Sequence, residues 1–268
     1  MGLGEQVMRL AAELLHESSR AEVLEEALAL HRLLIARGLY RGRERVSTAL
    51  ACLYAAARYR RVPYEPLEFL VLAARLMRSR ARRALRAAEE AWVEAGRDGV
   101  RRLMRRLGEE ERLVLRALRA DEGPRAPYYV HRRWARRFMS LYRTIALEVY
   151  GRSPPPILPE DAALYYARWL GRLRGGVPEG FEALAERAAA ALSGVAGGRS
   201  ARRIAFAGIL AAARLLGAQV SAEDLAEAFG GELVALSRPT LREIERLSRT
   251  AQALLSERPE QGVAQAGS

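Results

Sequence analysis

Apolar residues recur along this chain every three or four positions, the spacing of helices that bury one face. Val7, Leu10, Ala11 and Leu14 predict a first helix over about 3–16, and Val23, Ala27, Leu30 and Leu34 a second over about 22–37, stopped by Gly38. A third, about 45–59, is apolar nearly all round through Val46, Ala49, Leu50, Leu53, Ala56 and Ala57, which marks a central buried helix. Val62-Pro63 ends it, and a fourth starts near Glu65. Two strongly charged patterns follow, at about 78–94 and 97–120. A stripe of Trp134, Phe138, Leu141, Tyr142, Ile145 and Val149 then predicts a helix over about 130–149. Ser153-Pro154-Pro155-Pro156 reads as a stiff linker. Beyond it, helices are expected at about 162–173, 179–193, 202–216, 222–229 and 239–255, with a frayed tail over 257–268.

The pattern repeats. Residues 26–58 align without a gap to residues 182–214, and 13 of the 33 pairs are identical. Glu-Ala-Leu-Ala opens both copies, Gly38 falls on Gly194, and Gly42-Arg43 falls on Gly198-Arg199. Ala55-Ala56-Ala57-Arg58 matches Ala211-Ala212-Ala213-Arg214. Two copies argue for two similar domains rather than a solenoid. The expected organisation is a first domain over 1–153, interrupted by a helical insertion at 76–127, and a second over 154–256. Each is read as a five-helix bundle around its third helix.

Composition agrees with an all-α fold: Ala, Leu, Arg and Glu dominate, and half of the 268 residues are apolar. No apolar run approaches the roughly 20 residues that span a bilayer, and the N-terminus lacks a signal-peptide layout, so the expected compartment is the cytoplasm, at the nucleoid. The net charge is +12, and it is unevenly placed. Residues 1–153 carry the whole excess, whereas residues 154–268 hold 13 arginines against 13 acids. Localised positive charge points to a polyanion such as nucleic acid. Arginine supplies all of it, since the chain has no lysine, and its planar fork suits phosphate. A GC-rich coding sequence accounts equally for the missing lysine.

A buried Ala-rich third helix, preceded by Gly38-Leu39-Tyr40-Arg41-Gly42-Arg43 and followed by Arg60-Arg61-Val62-Pro63, resembles the cyclin-like repeat of archaeal transcription factor B and eukaryotic TFIIB. In the second copy, Pro159-Glu160-Asp161 with Tyr165, and Gly198-Arg199-Ser200 with Ala205 and Ile209, are similar to the same repeat. The resemblance covers about 1–75 and 128–256. It implies two tandem five-helix cyclin-like domains that hold promoter DNA together with TATA-binding protein, with a helix-turn-helix in the second repeat. Three departures stand out. The family's polymerase-recruiting zinc ribbon has no counterpart here, the second repeat is neutral, and its candidate helix-turn-helix is joined by a long segment, residues 230–238.

Candidate DNA contacts fall in three places. Arg132, Arg133, Arg136 and Arg137 crowd the start of the helix expected at 130, where cations oppose the macrodipole and like charges at i,i+4 cost about 0.2–0.5 kcal/mol per pair. A phosphate backbone would relieve both; so would solvent, or the acids Glu109–Glu111. Arg41, Arg43 and Arg45, and their counterparts Arg199, Arg202 and Arg203, sit at the turn into each central helix, as DNA contacts or as ordinary surface charge. Thr240, Arg242 and Arg246 could face a major groove, but Glu243 and Glu245 share that helix, which favours scaffold packing. The insertion's Arg105 and Arg106 are expected to be neutralised by Glu109 and Glu110 one turn on.

Nothing points to catalysis, a cofactor or a metal. His16, His31 and His131 share no ligand spacing, and Cys52 lies within the buried helix. The expected function is modulation of transcription initiation through promoter DNA, TATA-binding protein or both, with DNA bound mainly by the first repeat. The competing expectation is a cyclin-like protein-interaction scaffold that leaves DNA alone.

Overall fold

A computed structural model describes residues 2–15, 17–38, 45–118, 126–230 and 237–257, which are helical and contain no strand. They divide into two compact units: residues 1–62 with 66–155, and residues 63–65 with 156–268.

The first unit holds α1 (Leu3–Ala11), α2 (Glu17–Ala36), α3 (Arg45–Tyr59), α4 (Pro66–Arg80), α5 (Arg82–Arg106), α6 (Glu109–Ala117) and α7 (Ala126–Thr144). At its centre is α3, packed against α1, α2, α4 and α7. Every residue from Val46 to Ala57 is buried, which is why that stretch shows no polar face. Tyr54 anchors the core, its ring 5.3 Å from Phe69, 5.5 Å from Phe138 and 4.9 Å from Tyr142. Burying a side chain of this size contributes about 1.5–3 kcal/mol.

The second unit holds α8 (Pro159–Arg174), α9 (Phe181–Ser193), α10 (Ala201–Leu215), α11 (Ala222–Leu225) and α12 (Arg238–Ser256). Here α10 is the central helix, against α8, α9, α11 and α12. Its aromatic is Phe206, grouped with Tyr166 at 5.3 Å and Phe229 at 5.7 Å. Both central helices are 15 residues long and begin 156 positions apart, as do α1 and α8, and α4 and α11. The helices thus keep the register of the sequence repeat.

Each central helix ends in one device. A residue in the left-handed region, Arg61 or Gly217, lets the next amide bond back to Ala57 O or Ala213 O. The arginine of the repeated Ala-Ala-Ala-Arg motif is structural in both units. Buried Arg58 donates to the carbonyls of Val62 and Pro155, and Arg214 to the hydroxyl of Ser248.

Within the segment expected as an insertion, 76–127, lie α5 and α6. A break at Ala95 and Gly96, the latter at φ 56°, divides α5 where the two charged patterns were expected to part. The second pattern does not run on to 120. Leu107 takes extended angles and α6 starts afresh at Glu109, with the Glu111 carboxylate accepting from the Gly108 amide at 3.3 Å. This break removes the expected neutralisation. Arg105 and Arg106 are exposed and form no ion pair among the described residues, because i,i+4 pairing needs an unbroken helix. The insertion packs on its own unit, α6 against α1 and α4.

Candidate nucleic-acid interface

The segment α7 begins at Ala126, earlier than its apolar stripe suggests, and continues as a π-helical turn over Ile145–Tyr150. Its far end is pinned. Tyr150 stacks on Tyr59 with centroids 3.7 Å apart at 11°, and its hydroxyl donates to Glu26 Oε1 at 2.6 Å. Glu26 also accepts from Arg60 Nε at 2.8 Å. Burial, with the Glu26 carboxylate beside it, drives the Tyr150 phenol well above its ordinary pKa, so the hydroxyl stays a donor.

The early start changes the electrostatics. Arg132 and Arg133 lie about two turns into α7, and Arg136 and Arg137 about three, beyond the reach of the helix N-terminus. The macrodipole therefore does not act on the cluster. Arg136 is exposed and Arg137 half-buried; with exposed Arg143 they form no ion pair among the described residues. The side chains of Arg45, Arg132 and Arg133, and all of Arg41 and Arg43, lie outside the described residues, although Arg45 opens α3.

In the second unit the arginines at the turn into α10 have partners within the unit. Glu243 of α12 accepts from Arg199 Nε at 3.1 Å and Arg203 at 2.9 Å. These guanidiniums, Arg199 foremost, hold its carboxyl below the usual carboxylate range. Arg202 is buried, its guanidinium 5.2 Å from the Phe206 ring centroid. Burial turns Arg202 away from any surface ligand, and Glu243 offsets one of the two charges of Arg199 and Arg203.

On α12 the arginines are placed differently. Its core face is Ile244, Leu247, Ser248 and Ala251. At 100° per residue, Arg238, Arg242, Arg246 and Arg249 fall within about 80° of each other on the opposite side. All four are exposed and form no ion pair among the described residues. They span roughly 16 Å of helix. Glu243 is turned toward α10, and Glu245 is half-buried at the edge of this face, so neither carboxylate sits in the middle of the row. Thr240 is half-buried in the N-terminal turn, where Ser237 Oγ accepts from its amide at 3.4 Å. Arg238 and Arg249 escape a reading based on segment charge; counting them at helical spacing with Arg242 and Arg246 finds them.

Cys52 is fully buried and its thiol is pushed up to about 12, which removes it from nucleophilic chemistry. Among the described residues no group of His, Cys, Asp and Glu could hold a metal ion, and no helix is long and apolar enough to cross a membrane. Comparison with family models, with curated proteins and with solved structures finds no match to the chain.

Proposed function

We propose that this protein is a transcription-factor-B-like DNA-binding protein, which associates with promoter DNA, TATA-binding protein or both and modulates transcription initiation. The observation that carries the DNA half is the outward row Arg238, Arg242, Arg246 and Arg249 on α12, exposed and without ion pairs among the described residues. Helix repulsion along that row costs stability unless an anion meets it. Arg136 and Arg143 of α7 are further exposed cations, on the first unit. Support for the family reading is the internal repeat, whose central helices have equal length and the same register.

Guanidinium rows at this spacing suit a phosphate backbone, and Arg242 or Arg246 could also read guanine edges. The test is a mobility shift with duplex promoter DNA, with and without TATA-binding protein, across a salt series. Neutralisation of about six phosphates gives a slope of log affinity on log salt near −5. A flat response removes the DNA reading and leaves the protein-interaction scaffold.

A further inference from the structure

Along α7 lies an open groove of about 630 Å³, walled on the other side by Leu67 of α4. Arg136, Met139, Arg143, Leu147 and Glu148 line it. Leu147, in the π-helical turn, is 77% exposed and offers an apolar side chain to the groove. Arg136 and Arg143 are exposed along the same face and form no ion pair among the described residues.

We propose that this groove seats an acidic amphipathic helix of a protein partner. Both halves of the description come from the lining. Leu67, Met139 and Leu147 gain only from apolar side chains, and a hydrated phosphate backbone offers none. Arg136 and Arg143 are seven residues apart, about 10 Å along the helix, which matches two carboxylates seven apart on a partner helix. Glu148, the acid of the lining, lies at the far end and sets the polarity: the partner's acids align with Arg136 and Arg143, and a cation meets Glu148. This is recognition of a helix in a groove, with apolar anchors for affinity and charges for register. The inference does not rest on the DNA reading, which is carried by the α12 row of the other unit.

The test uses the full chain and a fluorescent helical peptide of about five turns. It carries leucines on one face, two glutamates seven apart beside them, and one arginine near the end that would meet Glu148. A scrambled peptide of equal composition and a short DNA duplex serve as the other probes. Anisotropy is expected to show the ordered peptide binding at least about tenfold tighter than the scrambled one. Arg143→Glu and Leu147→Asp, both at exposed positions, each weaken it about tenfold, while Leu147→Asp leaves duplex affinity unchanged. Equal binding of both peptides overturns the proposal, since charge alone then accounts for it. So does a Leu147→Asp variant that keeps its peptide affinity, or that loses duplex affinity instead.

Discussion

Arg61 and Gly217 close the two central helices in the same left-handed turn, at φ 63° and 68° and 156 positions apart. The following amides bond back across the helix end, Val62 to Ala57 O at 3.0 Å and Ala218 to Ala213 O at 2.7 Å. Glycine enters this region without a Cβ clash, and arginine does not. Arg61→Gly is therefore expected to stabilise the protein by about 0.5 kcal/mol, after the added freedom of the unfolded chain is set against the relieved strain. Gly217→Arg is expected to cost about 1 kcal/mol. Urea midpoints measured at constant m-value read both.

Gly208 lies where α10 meets α9, and a Cβ there would stand 2.8 Å from Ala185 O and 2.9 Å from Ala189 N. Both neighbours are backbone, so the helices themselves must part. Gly208→Ala is expected to destabilise by about 1–3 kcal/mol, lowering the thermal midpoint. Its counterpart in the repeat is Cys52, where Cys52→Ala shrinks a side chain instead of forcing helices apart; its cost is expected to be smaller.

Glu243 holds Arg199 and Arg203, and its depressed carboxyl makes this pairing sensitive to acid. A lowered folded-state pKa contributes stability above the unfolded value, and that stability is lost as pH falls through the folded one. Glu243→Gln is expected to cost less than about 1 kcal/mol at neutral pH, since the pair is partly exposed. The difference from the parent should vanish on acidification. Denaturation midpoints across pH 2–7 check the convergence.

Reversal of Arg242 and Arg246 to Glu removes two cations from the α12 row. If both meet phosphate, the salt slope is expected to become shallower by about 2. The double reversal of Arg199 and Arg203 should change it less, because both already engage Glu243, which offsets half of their charge. A mobility shift at several salt concentrations separates the two variants.

The Cys52 thiol, buried and raised to about 12, is expected to resist a thiol reagent at neutral pH in the folded protein. Labelling should then follow opening of α3, and its rate should rise with urea in step with unfolding.

Helix content and the central helices were legible from the chain because burial on every side leaves an unbroken apolar run, as at 45–59, which is α3. The start of α7 was not, since Ala126 precedes the apolar stripe. The break at Leu107 and Gly108 was equally hidden inside a continuous charge pattern. Charge summed over a segment also concealed the α12 row. The second half is neutral in total, yet Glu243 faces α10 while Arg238, Arg242, Arg246 and Arg249 face outward. Direction, rather than amount, decides what a ligand meets.

The two central helices bury one large ring each, a single turn out of step. Tyr54 stands where the repeat has Leu210, and Phe206 where it has Leu50. Each ring is met by aromatics of its own unit: Phe69, Phe138 and Tyr142 in one, Tyr166 and Phe229 in the other. Grafting either helix into the opposite half would drive a ring into a leucine-sized space and open a void one turn away. Gene conversion between the duplicated segments would consequently be purged, and the copies are free to drift apart in what they touch while their backbones keep time.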